Sequence, residues 1–208
     1  MFNLQNPNAV LSTGGAFYVS NPAAAAEVDI ETAYQDPTFR SFTVILQNGA
    51  EYVLPGRIRL LDQKIEVRLE DGDVYDLDNQ MIQAVITPQQ RIYVSSFDLM
   101  GRIKGTQLYE VAYIDSLRRL LVNTSTVWED PPPKNMFDTS EPRKTLKQVE
   151  RVYYIGPRGS TEVKRIADLL TALNESKNGP VGQIIKKRRL KNDVLSYVTL
   201  LESTREDN

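Results

Sequence analysis

The chain has 208 residues, of which 41% are hydrophobic and 25% are charged, and its formal net charge is -2 at pH 7. It contains no Cys and no His, which excludes disulfides, thiol nucleophiles, Cys/His zinc sites and Ser-His-Asp catalysis. Because the net charge is close to zero, no overall field favours nucleic acid, and no nucleic-acid partner is expected.

Residues 1–40 are predicted to form an irregular N-terminal arm, whose first half, residues 1–20, is rich in Asn, Ser, Gly and Gln. Asn21-Pro22 precedes an Ala run that fits either a short helix or a flexible linker. The stretch Met1–Pro7 has neither a basic nor an apolar signal-peptide region, so no signal peptide is expected in this sequence. No apolar run approaches the ~18–20 residues of a membrane helix, so no transmembrane segment is predicted.

One pattern occurs twice, at residues 42–54 and 65–77. In each copy, apolar residues alternate around an Asn-Gly or Asp-Gly pair, which is a strong local signal for a β-hairpin. Two-residue loops would distribute the apolar residues over both faces of each hairpin. Three-residue loops, Gln47–Gly49 and Glu70–Gly72, place all of them on one face, and burial therefore favours this register.

The three-residue loops make specific predictions. Gly49 and Gly72 should adopt the left-handed conformation, which costs glycine nothing. Across the strands, the register pairs Val44 with Tyr52, Phe42 with Leu54, Val67 with Tyr75, and Ile65 with Leu77. The residues expected to be buried are Val44, Leu46, Tyr52, Val67, Leu69, Tyr75 and Leu77.

Residues 41–128 are predicted to form an antiparallel β domain built on these hairpins. Pro55-Gly56 is interpreted as a turn, followed by a short separate strand at 57–61. Further strands are expected at 82–87 and 91–97. A third hairpin is expected to join 108–114 to 119–123 through Asp115-Ser116.

Residues 129–150 are predicted to be a Pro-rich polar loop, either a surface linker or a functional segment. Residues 151–208 are expected to form a β-hairpin followed by helices, because the apolar period changes from 2 to 3.6. The helices should begin near Arg165, at Pro180, and after Asn192 or Asp193. The predicted fold is α+β: an antiparallel β meander or barrel-like sheet of repeated hairpins, then a C-terminal cluster of two to three short helices.

The tail carries three short motifs: Val152-Tyr153-Tyr154, the stretch 163–170 ending in Asp-Leu-Leu, and the stretch 184–191 beginning with Ile-Ile-Lys-Lys. Together with the repeated Leu-x-[Asn/Asp]-Gly hairpins, they resemble an uncharacterised family of exported proteins from Bacteroidota-type bacteria. The resemblance covers roughly residues 35–205. It implies a periplasmic or cell-envelope location, with a cytoplasmic location as the alternative, and it brings no activity with it.

Carboxylates cluster at Glu70–Asp73 and at Asp76 and Asp78. Their spacing does not follow the order of a calcium-binding EF-hand loop, and Asp and Gly at a hairpin tip are explained by turn chemistry. No catalytic, cofactor-binding or metal-binding residue is therefore predicted, and no cofactor is expected.

The densest positive run is predicted as a possible interaction site. It could contact phosphates or anionic lipid, or it could simply complement the dipole at the end of a helix. It consists of Lys186, Lys187, Arg188, Arg189 and Lys191.

These observations favour a non-enzymatic, exported structural or interaction protein that binds another protein through an exposed sheet edge. One alternative is a small-ligand binder or carboxylate-based enzyme with a pocket between sheet and helices. A second alternative is a nucleic-acid-binding protein that uses residues 186–191.

Overall fold

A computed structural model describes Tyr18, Val19 and residues 30–70, 72–95, 107–130 and 144–205. The chain divides into two units: unit 1 comprises Met1–Leu108 and Thr124–Val149, and unit 2 comprises Tyr109–Asn123 and Glu150–Asn208. Most of the predicted N-terminal arm, the Ala run at 23–26 and the centre of the Pro-rich loop lie outside the described residues.

Unit 1 contains an antiparallel sheet with the strand order β1-β5-β4-β3-β2-β6-β7. Within the described part of the chain, β1 and β7 do not pair with each other, so the sheet is not closed into a barrel. The elements are β1 (Tyr18–Val19), α1 (Ile30–Ala33), β2 (Arg40–Leu46), β3 (Glu51–Arg59), β4 (Lys64–Arg68), β5 (Val74–Asp76), a 3-10 turn (Asn79–Met81), β6 (Ile82–Ile86) and β7 (Ile92–Ser95).

The predicted hairpin register is confirmed. Val44 pairs with Tyr52 and Phe42 with Leu54, and Val67 pairs with Tyr75. The hydrogen bonds Leu46 N to Ala50 O (2.8 Å) and Leu69 N to Asp73 O (3.0 Å) close three-residue loops. Gly49 and Gly72 have φ angles of 80° and 89°.

The face predicted to be apolar forms the core of unit 1. Phe42, Val44, Ile65, Val67 and Leu77 are all buried. Leu54 and Leu69 are also buried, whereas Leu46, Tyr52 and Tyr75 are partly buried and pack against this core. Alternation along the strands therefore gave the correct inward face, and complete burial was overestimated only for three residues near the loops.

The predicted turn at Pro55-Gly56 is wrong, because β3 runs straight through both residues. Gly56 pairs with Arg40 on one side and with Val67 on the other. A Cβ at Gly56 would lie 2.7 Å from Cδ2 of Phe42. This glycine is therefore needed for the close approach of the Phe42 ring rather than for a turn.

A buried glutamine holds the connection between β3 and β4. Gln63 has a φ of 60°, and its side-chain Nε2 donates to Leu60 O (2.9 Å) and Thr124 O (2.8 Å). Its Oε1 accepts from Leu108 N at 3.3 Å. One side chain thus satisfies three backbone groups from separate parts of unit 1, and buried backbone groups are costly to leave unpaired.

Replacing Gln63 with Leu should lower the free energy of unfolding by about 2–4 kcal/mol, because three backbone groups lose a partner. Urea unfolding followed by circular dichroism measures the change. Gln90 is a matched control, since it also has a left-handed backbone (φ 62°) but is exposed. Gln90→Leu should change stability by less than about 0.5 kcal/mol, and equal losses for the two variants would contradict the role given to the Gln63 amide.

Unit 2 combines a second group of antiparallel strands with three helices. Its strand order is β8-β9-β10-β11, and three of these strands have one end in unit 1. The elements are β8 (Leu108–Ile114), β9 (Arg119–Glu129), β10 (Thr145–Gly156), β11 (Gly159–Glu162), α2 (Ile166–Leu173), α3 (Pro180–Arg188) and α4 (Val194–Ser203).

The three predicted helices are present and begin where their sequence signals indicate. Arg165 is the N-cap residue of α2, Pro180 opens α3, and the Asp193 side chain caps α4 by accepting from Ser196 N at 2.7 Å. The predicted hairpins also form, with Ile114 opposite Arg119 and Tyr153 opposite Glu162. The predicted α+β fold, an antiparallel sheet followed by C-terminal helices, is thus confirmed.

The apolar faces of the unit 2 helices pack on the strands of that unit. Leu169, Leu170, Leu200 and Leu201 are each no more than 3% exposed, and Tyr197 is 2% exposed. The predicted loop at 129–150 is shorter than expected, because Glu129 belongs to β9 and β10 begins at Thr145. None of the helices in the described part of the chain has the length and apolar character needed to cross a membrane.

Candidate functional site

The outward face of β3, β4 and β5 carries a row of charges set by strand register. Arg57 on β3 lies opposite Glu66 on β4, and Glu66 lies opposite Asp76 on β5. Because side chains alternate along a strand, these residues point away from the core that Ile65 and Val67 help to form. The hairpin register therefore brings two carboxylates side by side on this face.

Two arginines from β3 neutralise these carboxylates. Arg57 Nε bonds Glu66 Oε2 at 2.6 Å, and Arg59 Nη1 bonds Glu66 Oε1. Arg59 Nη2 also reaches Asp76 Oδ2 at 2.8 Å and Asp62 Oδ2 at 2.7 Å. Arg59 thus bridges three carboxylates in its planar fork, which is geometry that an ammonium group would not reproduce.

A tyrosine from an earlier segment completes the group. The Tyr34 hydroxyl donates to Glu66 Oε1 (3.1 Å) and accepts from Arg57 Nη2 (3.1 Å). Tyr34 is held there because it forms a β-bridge with Arg59. We call these six residues the ionic cluster: Tyr34, Arg57, Arg59, Asp62, Glu66 and Asp76.

Burial controls the electrostatics of the ionic cluster. Glu66 is 2% exposed, and burial raises the pKa of Asp76, with Arg59 opposing the shift. Burial also acts to lower the pKa of Arg59, but its hydrogen bonds to Asp62 and Asp76 outweigh this effect and raise it. In the described residues, Asp76 Oδ1 is buried without a hydrogen-bond partner, so this carboxylate is incompletely satisfied.

The arginines also contact aromatic rings. The Arg57 guanidinium lies 4.1 Å from the Tyr34 ring centroid and 4.4 Å from that of Phe39. The Arg68 guanidinium lies 4.0 Å from the Phe39 centroid. These distances are those of cation–π contacts, so the segment around residues 34–39 is fastened to the sheet by rings as well as by hydrogen bonds.

The basic residues that the sequence predicts as an interaction site are not part of the ionic cluster. The basic run lies at the end of α3: Lys186, Lys187 and Arg188 form its last turn, and Arg189 is the left-handed C-cap. These four residues and Lys191 are exposed. No side-chain ion pair involving them occurs in the described part of the chain. Their position suits the negative end of the helix dipole.

The acidic hairpin residues divide between two roles. Asp78 caps the 3-10 turn by accepting from Gln80 N at 2.9 Å, as turn chemistry predicts. Asp76 instead belongs to the ionic cluster, and Asp71 lies outside the described residues. Across the described ranges, no group of three or more Asp or Glu residues is placed to hold a metal ion.

No role was predicted from the sequence for Arg57, Arg59 or Glu66, and Asp76 was explained by turn chemistry. The available signal was the alternation of charged and apolar residues in β3 and β4. That signal carries no information about Tyr34, which lies 32 positions before Glu66 in the sequence but contacts it in the structure. Only the three-dimensional structure shows that this part of the polar face is covered.

Further along the sheet, the same outward face carries three apolar side chains and one threonine. Val53 on β3 lies opposite Thr43 on β2, Thr43 opposite Ile86 on β6, and Ile86 opposite Ile92 on β7. Val53 is 66% exposed and Ile92 is 40% exposed, while the other two are half-buried. We call these four residues the outer row.

Unit 2 has a cleft of about 360 Å³ between β10, β11 and the start of α4. Glu150, Glu162 and Asp193 contribute carboxylates to its lining. Asp193 is occupied as a helix cap, and Asn192 Oδ1 accepts from Ile166 N at 2.9 Å. Much of the polar lining of this cleft therefore serves to hold helix ends.

Comparison of the chain with protein-family models, with curated protein sequences and with solved structures finds no match.

The raised pKa of Asp76 gives a prediction with a definite sign. The folded state holds this proton more tightly than the unfolded chain, whose pKa is near 3.8. Stability is therefore lost as the pH rises through the folded pKa. Because Asp76→Asn cannot titrate, its free energy of unfolding relative to wild type should increase between about pH 3 and about pH 7.

Asp36 supplies a control of opposite sign, to be measured by the same denaturant titrations. A hydrogen bond from Thr38 N, together with Arg40, lowers the pKa of Asp36, so its stabilising contribution is lost as the pH falls. The stability of Asp36→Asn relative to wild type should therefore decrease between the same two pH values. A pH-independent difference for Asp76→Asn would show that burial does not perturb that carboxyl.

Proposed function

We propose that this chain is a non-enzymatic structural or interaction protein that binds another polypeptide through the outer row. The observation that supports the proposal is the row itself: three apolar side chains and one threonine lie in register across four strands, with Val53 66% exposed at one end. Exposed apolar patches on a protein surface commonly mark protein–protein contacts.

The dimensions of the outer row suit a strand or helix from a partner. Adjacent strands lie about 4.8 Å apart, so the row spans about 14 Å from β3 to β7. Ile45 and Ala84 pair with each other on the same side of the sheet and are half-buried. They widen the apolar surface beyond a single line of side chains.

A sheet edge is the alternative place for a partner, and it receives less support. In unit 2 the edge strand β11 has only four residues. Short edge strands are a common means by which proteins discourage pairing with other chains. Its residues Ser160, Thr161 and Glu162 are exposed but polar, so they offer less apolar surface for burial than the outer row does.

The proposal extends to location. The resemblance to exported proteins supports a periplasmic or cell-envelope protein, with the cytoplasm as the alternative. Fractionation of cells of the source organism, followed by detection with an antibody raised against the purified chain, tests this part. Recovery with the periplasmic or envelope fraction is expected, and recovery only with a cytoplasmic marker enzyme would overturn it.

Site-specific photocrosslinking in the source organism tests the contact surface. A photoreactive phenylalanine analogue at Val53 or at Ile92 should give the same crosslinked product, because both side chains lie at the ends of one row. With the analogue at Val53, the change Ile92→Lys should reduce that product, because a partner would then have to bury a charge. With the analogue at Ile92, Val53→Lys should do the same.

Val127 provides the matched control. It is a strand residue of similar exposure, 39% against 40% for Ile92, but it lies on β9 and not in the outer row. The same analogue there should not give the product. If neither row position crosslinks, or if Val127 yields the same species, the outer row is not the contact surface.

A further inference from the structure

Unit 1 has a cleft of about 260 Å³ whose floor is apolar and whose mouth carries positive charge. Phe42, Ile58 and Tyr93 line the floor and are each no more than 6% exposed. The walls come from the 35–40 segment on one side and from the 87–91 turn, which joins β6 to β7, on the other. This cleft is separate from both the ionic cluster and the outer row.

The polar groups of the cleft are fixed in place. The Gln35 side-chain amide donates to the Tyr93 hydroxyl, which ties the 35–40 segment to β7. Thr87 N bonds Arg91 O at 3.0 Å and Gln90 N bonds Thr87 O at 2.9 Å, so the opposite wall is a closed turn. Both walls are therefore built into the fold and do not require a ligand to form them.

The charged groups at the mouth favour an anion. Arg40 and Arg91 both line the cleft and are exposed, whereas Asp36 is its one carboxylate. The Asp36 oxygens already accept from Thr38 N at 2.8 Å and from Arg40 Nε at 3.1 Å. Arg40 is thus itself paired with Asp36, and Arg91 supplies a second guanidinium group, so the lining carries two positive charges against one negative charge.

The volume indicates the size of the group that the cleft can hold. An apolar cavity of about 150 Å³ is large enough to hold a benzene molecule. A cleft of 260 Å³ therefore accommodates a six-membered ring with a short side chain. Burial against Phe42, Ile58 and Tyr93 supplies the apolar contact, and a guanidinium group matches the geometry of a carboxylate.

We infer that this cleft binds a small carboxylic acid with an aromatic or branched apolar body, the body lying on the floor and the carboxylate between Arg40 and Arg91. This binding site is independent of the proposed protein–protein contact, since it uses the opposite face of the sheet. The cleft of unit 2 lacks this complementarity, because its three carboxylates outnumber its two cationic side chains, Arg151 and Lys164.

The test compares 3-phenylpropionate with its uncharged analogue 3-phenylpropan-1-ol. Each is titrated into the full-length wild-type chain, and amide chemical shifts are followed by two-dimensional NMR. A ligand of this size should bind the wild type with a dissociation constant on the order of 1 mM. The alcohol should bind roughly ten-fold more weakly, because it lacks the charge-assisted hydrogen bonds.

Two rim variants and one control separate the cleft from general charge effects. Arg91→Gln and Arg40→Gln change exposed side chains, and each should weaken 3-phenylpropionate roughly three- to ten-fold while leaving the alcohol unchanged. Arg158→Gln removes an exposed arginine of unit 2 and should alter neither affinity. Thermal unfolding of all three variants checks that they are folded.

The result that supports the inference is binding of the acid with shift changes at Tyr93 and Phe42, together with selective loss in both rim variants. Equal affinity for acid and alcohol in the wild type would overturn it. So would no binding of either compound up to about 20 mM, or a loss in Arg158→Gln as large as that in the rim variants.

Discussion

The structure of unit 1 depends on one buried carboxylate. Glu66 lies on the side of β4 that faces away from the apolar core, yet it is 2% exposed. Removing a carboxylate from water costs several kcal/mol, and the cost is offset only when donors surround it in good geometry. Arg57, Arg59 and Tyr34 provide those donors. Because they come from β3 and from the segment before β2, Glu66 joins parts of the chain that are distant in sequence.

This arrangement divides the outward face of the sheet into two regions. Near β4 and β5, the face is covered by Tyr34 and by the arginines that it contacts, so its charges are used internally. Near β6 and β7, the face carries Ile86 and Ile92, and it is open enough for Ile92 to remain 40% exposed. The ionic cluster therefore stabilises the region near β4 and β5. The region near β6 and β7 retains apolar surface that could bind a partner.

The hairpins were predictable because their information is local. Strict alternation and a glycine at the last loop position fix the register of residues 42–54 and 65–77, and both loops close as predicted. The Pro55-Gly56 pair was misinterpreted because the same dipeptide can form a turn or can lie within a strand where a neighbouring side chain packs closely against the glycine. The ring of Phe42 decides between them. Its position depends on pairing between strands, which a local reading of the dipeptide does not include.

The ionic cluster and the outer row were not predictable for a related reason. Each needs contacts between segments far apart in the chain: Tyr34 with Glu66 in one case, and β6 beside β2 in the other. Charge alternation within β3 shows that Arg57 and Arg59 share a face, but not that Glu66 lies beside them or that another segment covers them. The helix caps at Arg165, Pro180 and Asp193 were predictable because each cap lies within a few residues of the helix it begins.

Strand β2 connects the three features on which function would depend. Its first residue, Arg40, lines the mouth of the cleft, Phe42 lies on the cleft floor and in the core, and Thr43 lies in the outer row. Truncating Phe42 would remove core packing and also the contact that Gly56 accommodates, so loss of binding in such a variant would not identify the site. Exposed positions such as Arg91 and Val53 avoid this ambiguity, because their side chains reach solvent and contribute little to the core. The physical separation of the two surfaces, one on each face of a shared strand, is what allows each to be tested without unfolding the other.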